Sequence, residues 1–194
     1  MWGGKLALEH QLNEYLTAYA LLSRGYKAGG VNGEALTQLT NPEFNQYWDF
    51  LRQQAAFKPE SLLNREVGLK GSWLQQSLVT RLAWFDMRRQ DMQVNSWITQ
   101  GSEFAGYIAN ASAGRNQGIE LESSYQARET VRFFDSLGLL DSEIDGNTAA
   151  VDIDGKKQFV DLSGRDQAHA PRRQTMLGLE YALLEQLKIG RAHV

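Results

Sequence analysis

No cysteine occurs in the chain, so neither a disulfide framework nor a thiolate metal site is open to it. No run of about eighteen apolar residues occurs either, which excludes a membrane-spanning helix but leaves a spanning strand available. Charge of one sign is not in excess. A net charge of −3 gives no electrostatic case for nucleic acid as a partner. The basic doublets Arg88-Arg89, Lys156-Lys157 and Arg172-Arg173 stand apart rather than clustered. The first residues, MWGGKLALEH, lack a charged segment followed by an apolar one, so no signal peptide is visible.

Catalytic patterns are equally scarce. His10, His169 and His193 are scattered, with no Gly-x-Ser-x-Gly elbow and no phosphate-cradling glycine loop beside them. Asp152-Ile-Asp154-Gly155 starts like a calcium loop, but its glycine comes two places early and the required glutamate is missing. Glu120 and Glu122 share one face of an extended segment, and lining a wet channel is the commoner role for such a pair than acid–base chemistry. Asn110-Ala-Ser112 is a formal glycosylation sequon, without meaning in a bacterial protein. No enzymatic activity, metal or cofactor is therefore expected.

What the chain does have is glycine, rings and a period of two. It carries 18 glycines, 5 tryptophans, 7 tyrosines and 8 phenylalanines. In NQGIELESSYQ (116–126), Ile119, Leu121 and Tyr125 fall on one face of a strand and Glu120, Glu122 and Ser124 on the other. Seven segments read in this way, at 2–10, 15–27, 63–73, 78–94, 112–125, 131–143 and 173–183. The first twenty residues are ambiguous, because Leu8, Leu12, Tyr15, Leu16 and Tyr19 also fit a helical stripe.

The connections alternate in length. Residues 11–14, 74–77 and 126–130 are short polar turns, whereas 28–62, 95–111 and 144–172 read as long loops. That alternation is the signature of an up-and-down transmembrane barrel, and three long structureless loops are rare in a compact soluble domain. Trp73, Tyr125 and Tyr181 share phase with their apolar stripes near the short turns, as an interfacial aromatic girdle would. The competing reading is a set of rings capping the end of a soluble core.

Six motifs occur in order: SRGYKAGGVN (23–32), LLNREVGLKGSW (62–73), WFDMRRQDMQV (84–94), NASAGRNQGIELESSY (110–125), SLGLLDSE (136–143) and LSGRDQAHAPRRQTMLGLEY (162–181). Together they resemble the barrel of TonB-dependent outer-membrane receptors, over nearly all the chain except 33–60 and the last few residues. Their glycines and Pro171 read as strand punctuation, so they are assigned no ligand.

The resemblance implies an all-β fold: an antiparallel up-and-down transmembrane β-barrel segment, an open fragment of about seven strands from a barrel of about 22. It implies location in the cell outer membrane and energised uptake of a ferric siderophore, or of a cobalamin-like ligand of similar bulk. The implied partners are outer-membrane lipid, the transported ligand and the TonB complex, reached through a plug domain absent from this chain. Cargo contacts in the family come largely from plug and extracellular loops. By position Arg24, Tyr26, Trp97 and Tyr107, at the loop bases, are the candidates here.

Two rivals share part of the pattern: a non-energised porin-like barrel and a soluble β-sandwich binding module. The barrel region is taken as 1–187. Residues 188–194 end in IGRAHV, the in-frame translation of a common sequencing adapter, and are expected to lie outside the receptor sequence.

Overall fold

In the computed structural model the described residues are 2–145, 148–153, 156–161, 163–167, 169–184 and 187–193, with only the backbone described at 111–112, 148–153, 156–161, 183–184 and 187–193. In chain order the elements begin with strands β1 (Gly4–Asn13), β2 (Leu16–Lys27) and β3 (Gly30–Val31). Helix α1 (Gly33–Gln38), a 3-10 turn (Pro42–Tyr47) and helix α2 (Trp48–Gln53) follow, and then β4 (Ala56–Phe57). The remaining strands are β5 (Glu60–Trp73), β6 (Leu78–Gln100), β7 (Glu103–Arg128), β8 (Val131–Asp145), β9 (Thr148–Ile153), β10 (Lys156–Asp161), β11 (Arg173–Leu184) and β12 (Leu187–His193).

Eight of these form one sheet in the order β1-β2-β5-β6-β7-β8-β11-β12, each pair antiparallel. All seven expected strands are present, and the helical alternative for the first twenty residues is replaced by the β1–β2 hairpin. The backbone of Leu187–His193 adds an eighth strand along β11. The partial calcium-loop pattern at 152–155 includes residues outside the described set.

Register fixes which side chains share a face, because directly opposed residues in an antiparallel pair point the same way. One row reads Ala20, Val67, Trp84, Ile119, Leu139 across five strands, and the next reads Ala18, Leu69, Leu82, Leu121, Leu137. The side chains between them point to the opposite face and include Tyr19, Glu66, Lys70, Arg81, Glu120 and Glu122. The sheet is thus apolar on one face and charged on the other.

Rings mark the short-turn end. Trp73, Leu78, Tyr125 and Phe133 form one row, with Tyr181 opposite Val131 at the same end. Trp73 stacks on Tyr15 at 6.5 Å and its indole N–H donates to Thr80 Oγ1 at 3.0 Å.

The long-loop end departs from expectation: 28–62 carries two short helices, 144–172 carries the paired β9 and β10, and the middle connection departs furthest. Residues 95–111 are not a loop: β6 and β7 remain paired from Asn95↔Ile108 to Gln100↔Glu103, so the two strands run on as a hairpin closed at Gly101-Ser102. Gly101 has φ of 58°, the left-handed conformation that a two-residue hairpin turn requires and that glycine adopts without a Cβ clash. The insertion between β2 and β5 folds onto this extension. Ala35, Phe44, Leu51 and Ala105 are buried together, with Leu39, Tyr47, Phe50, Ile98 and Tyr107 packed around them. These side chains form a small core of their own, away from the sheet's charged face.

Candidate functional site

The charged face carries a continuous cluster between β1 and β7. Tyr19 donates its hydroxyl proton to Glu66 Oε1 at 2.7 Å. Lys70 donates to Glu9 Oε1 at 2.5 Å and its ammonium lies 4.9 Å from the centre of the Tyr19 ring. Arg81 reaches Glu122 Oε2 at 3.5 Å, and Lys5 and Glu120 complete the lining. Three cations stand against four carboxylates, so each charge has opposite charge nearby and the surface keeps a slight negative excess. These are fixed hydrogen-bonding groups in a wet environment, suited to touching other polar surface. No group of His, Asp or Glu among the described residues is arranged to hold a metal.

Gly68 explains how Tyr19 comes to lie flat on this wall. A Cβ there would sit 2.5 Å from Tyr19 Cε1 and 2.6 Å from the Leu82 carbonyl oxygen. Only a residue without a side chain leaves room for the ring, and Tyr19↔Gly68 are direct register partners.

At the long-loop end a second polar constellation ties the insertion to the β6–β7 hairpin. Buried Asn32 donates to the carbonyls of Gln54 and Ile108 at 2.7 and 2.8 Å and accepts from the Ile108 N–H at 2.8 Å. Glu34 Oε1 accepts from the Gly106 N–H at 2.8 Å. Asn110 donates to the carbonyls of Lys58 and Asp91 at 2.9 and 2.8 Å and accepts from the Lys58 N–H at 2.6 Å. The sequon asparagine therefore uses its amide to clamp backbone. Pattern reading missed all three residues, because their partners are backbone groups 19 to 76 positions away in sequence.

The four candidates from the sequence do not converge. Arg24 and Tyr26 stand on the parity of the apolar face at the loop end of β2, with the Arg24 guanidinium 4.8 Å over the Trp2 ring. Trp97 and Tyr107 lie near the hairpin, but Trp97 opposes Gly106 and Tyr107 opposes Ser96, so the two rings point to opposite faces. Trp97 is 64% exposed. Tyr107 is packed edge-on against Phe50 at 5.5 Å, and burial raises the pKa of its hydroxyl, partly offset by a hydrogen bond with Ser96.

The sequence matches the family described as TonB dependent receptor-like, beta-barrel, over residues 1–191. The chain belongs to that family. Solved structures with the same fold include the siderophore receptor PiuA from Acinetobacter baumannii, with TM-score 0.64 and 19% identity over 96% of this chain and 24% of that one. The ferric yersiniabactin uptake receptor FyuA from Yersinia pestis gives TM-score 0.64 and 16% identity over 98% of this chain and 24% of that one. The copper transporter OprC gives TM-score 0.61 and 19% identity over 93% of this chain and 24% of that one. The chain thus spans about a quarter of the length of each of these receptors.

As a TonB-dependent receptor barrel segment the protein belongs to the outer membrane. In such barrels the outward face is apolar and the interior polar, with short turns at the periplasm and longer loops outside the cell. The row containing Leu121 accordingly faces lipid, and the Tyr19–Glu66 cluster faces the lumen. The Trp73 row is the periplasmic girdle, and the insertion and hairpin project from the cell.

Proposed function

We infer that this chain is a section of the wall of a receptor that takes up ferric siderophores or similarly bulky scarce nutrients, with energy delivered from TonB through a plug domain elsewhere in the receptor. The observation that carries this reading is the charged lumenal cluster of Lys5, Glu9, Tyr19, Glu66, Lys70, Arg81, Glu120 and Glu122 on a wall of this family. Paired charges of both signs give the wall hydrogen-bonding capacity without a strong field of one sign. That is the surface a polar plug can lie against and slide along.

The solved relatives support the class of cargo and leave its identity open. PiuA and FyuA are named for siderophores, and OprC for copper. Of the four sequence candidates, Trp97 is the one we retain as a cargo contact, since its exposed ring projects from the extracellular hairpin. Arg24 and Tyr26 serve the rim of the wall, and Tyr107 serves the packing of the insertion.

The deciding experiment is uptake of radiolabelled ferric siderophores by iron-starved cells lacking the receptor locus, with and without complementation. Restored uptake that collapses when TonB is deleted supports energised transport. Uptake that persists without TonB would instead identify a passive, porin-like barrel. Growth rescue by copper or cobalamin alone would move the cargo to another class.

A further inference from the structure

The lipid-facing side of the sheet carries a charged cluster directly above its apolar rows. Asp86 is 2% exposed although its position shares parity with Leu82 and Trp84. Three arginines from three strands converge on it: Arg115 Nε at 2.6 Å on Oδ1, with Arg88 Nε at 3.3 Å and Arg65 Nη1 at 3.8 Å on Oδ2. Their side chains stay 43 to 54% exposed, so each is pinned at one edge and open at the other. One carboxylate cannot neutralise three guanidiniums. Further acidic groups on the same face are Asp141, which accepts from Gln117 Nε2 at 2.8 Å, Glu143, opposite Arg115, and Asp145, opposite Ala113. Arg173, opposite Leu139, adds a further cation to this face.

The height of the cluster decides what it meets. Arg65 lies eight residues from Trp73 along β5, which is about 26 Å of strand and about 20 Å along the membrane normal at the usual barrel tilt. An outer-membrane barrel's apolar band is about 25 Å tall. With its periplasmic edge at the Trp73 row, the band extends about 5 Å past the Arg65–Asp86 row, a gap that long guanidinium side chains can span by snorkelling. Charge at that level on the lipid side meets headgroups. The buried carboxylate holds the planar guanidiniums with donors still free for an anion that offers two oxygens.

We propose that Arg65, Arg88 and Arg115, held by Asp86, form an outward-facing site for the phosphate of an outer-leaflet lipid headgroup. It belongs to the outer wall and operates independently of the cargo and of TonB. A bound headgroup takes up the guanidinium donors that Asp86 leaves free and anchors this section of wall at a fixed depth.

The test is lipid retention by the intact receptor, purified from membranes in mild detergent and titrated in mixed micelles with a diacyl lipid bearing a phosphomonoester headgroup. The same acyl chains on a phosphocholine headgroup serve as the comparison. The site predicts about a tenfold preference for the phosphomonoester, as expected when charge-assisted hydrogen bonds replace a shielded phosphate. Arg88→Gln with Arg115→Gln should abolish the preference, and Arg88→Gln alone should reduce it several-fold. Arg132→Gln, on the lumenal face beside Glu180, should leave it unchanged. Barrel integrity is read in each variant from heat-modifiable gel migration, and the single variant keeps the test decisive if the double one fails to fold. Equal retention of both lipids, or a preference untouched by Arg88→Gln, overturns the proposal. Displacement by equimolar inorganic phosphate would show a site for free anion and overturn it too.

Discussion

Tyr19 and Glu66 are joined across β2 and β5 by a 2.7 Å hydrogen bond, and the glycine beside Glu66 on β5 is what lets the tyrosine ring lie against the wall. Gly68→Ala places a methyl group against a backbone carbonyl that cannot swing away. A loss of about 1–3 kcal/mol is expected from such overpacking. Tyr19→Phe removes only the hydrogen bond and should cost about 0.5–1.5 kcal/mol. Urea unfolding of the receptor in lipid vesicles separates the two. A Gly68→Ala variant as stable as wild type would show that the sheet can flex at this row.

The two faces make opposite demands on neighbouring residues. Leu121 pairs with Leu82 and Leu137 in a lipid-facing row, whereas Glu122 pairs with Arg81 in the lumen. Leu121→Arg should destabilise the inserted receptor by about 2–4 kcal/mol if that row lies near the bilayer midplane, and Glu122→Gln should be nearly silent. The same unfolding measurement checks both. Equal effects would reject this assignment of the two faces.

The strand order was legible where one face is apolar and the other polar, so a period of two stands out in residues such as Ile119, Glu120, Leu121 and Glu122, and it was weakest at 15–23 and 78–88, where neither face is cleanly polar. The β6–β7 extension was not legible, since above the membrane neither face of Trp97-Ile98-Thr99-Gln100 has to be uniformly apolar. Helices of six residues at Gly33–Gln38 and Trp48–Gln53 are too short to display a repeating stripe. The Asp86 cluster depends on the register of β5, β6 and β7, and the Asn32 clamp on a contact 76 residues distant. Neither is a local signal. The glycine at position 101 between two ring-bearing segments was the hint of a hairpin.

The extracellular insertion should loosen without harm to the barrel. Phe44 and Leu51 are fully buried in its small core, remote from the lumenal cluster. Phe44→Ala is expected to cost about 3–5 kcal/mol within that unit. Limited proteolysis of whole cells should then cut within the insertion, while heat-modifiable migration of the barrel is retained. Loss of the folded barrel would show that the two units unfold together.

Acid should release the segment before β11. Arg172 donates to both carboxylate oxygens of Asp166, at 2.9 and 3.1 Å, and this pairing lowers the Asp166 pKa below its ordinary value. A depressed folded-state pKa contributes stability that is present above the unfolded value near 3.8 and lost as pH falls through the folded value. Hydrogen exchange near Asp166, taken relative to the intrinsic amide rate at each pH, should therefore be unchanged from neutral pH to about 5 and accelerate well below the ordinary carboxylate range. In Asp166→Asn the acid-specific step should vanish. Acceleration of the same size in that variant would assign it to another group.

Orientation in the membrane is open to direct measurement. The β5–β6 turn holds Leu74, Gln75 and Gln76 in left-handed conformation beside the Trp73 girdle, and the β6–β7 turn at Gly101-Ser102 lies at the far end of the same strand. Short turns belong at the periplasm and extended loops outside the cell. Single cysteines at Gln76 and Ser102 meet no competing thiol in this section of the wall, which has no cysteine of its own. A membrane-impermeant maleimide added to whole cells should label Ser102→Cys and leave Gln76→Cys unmodified until the outer membrane is breached. Neither position is buried, so poor accessibility of the thiol would not mask the result. Labelling of Gln76→Cys alone on intact cells would invert the topology, and with it the assignment of the Asp86 cluster to the outer leaflet.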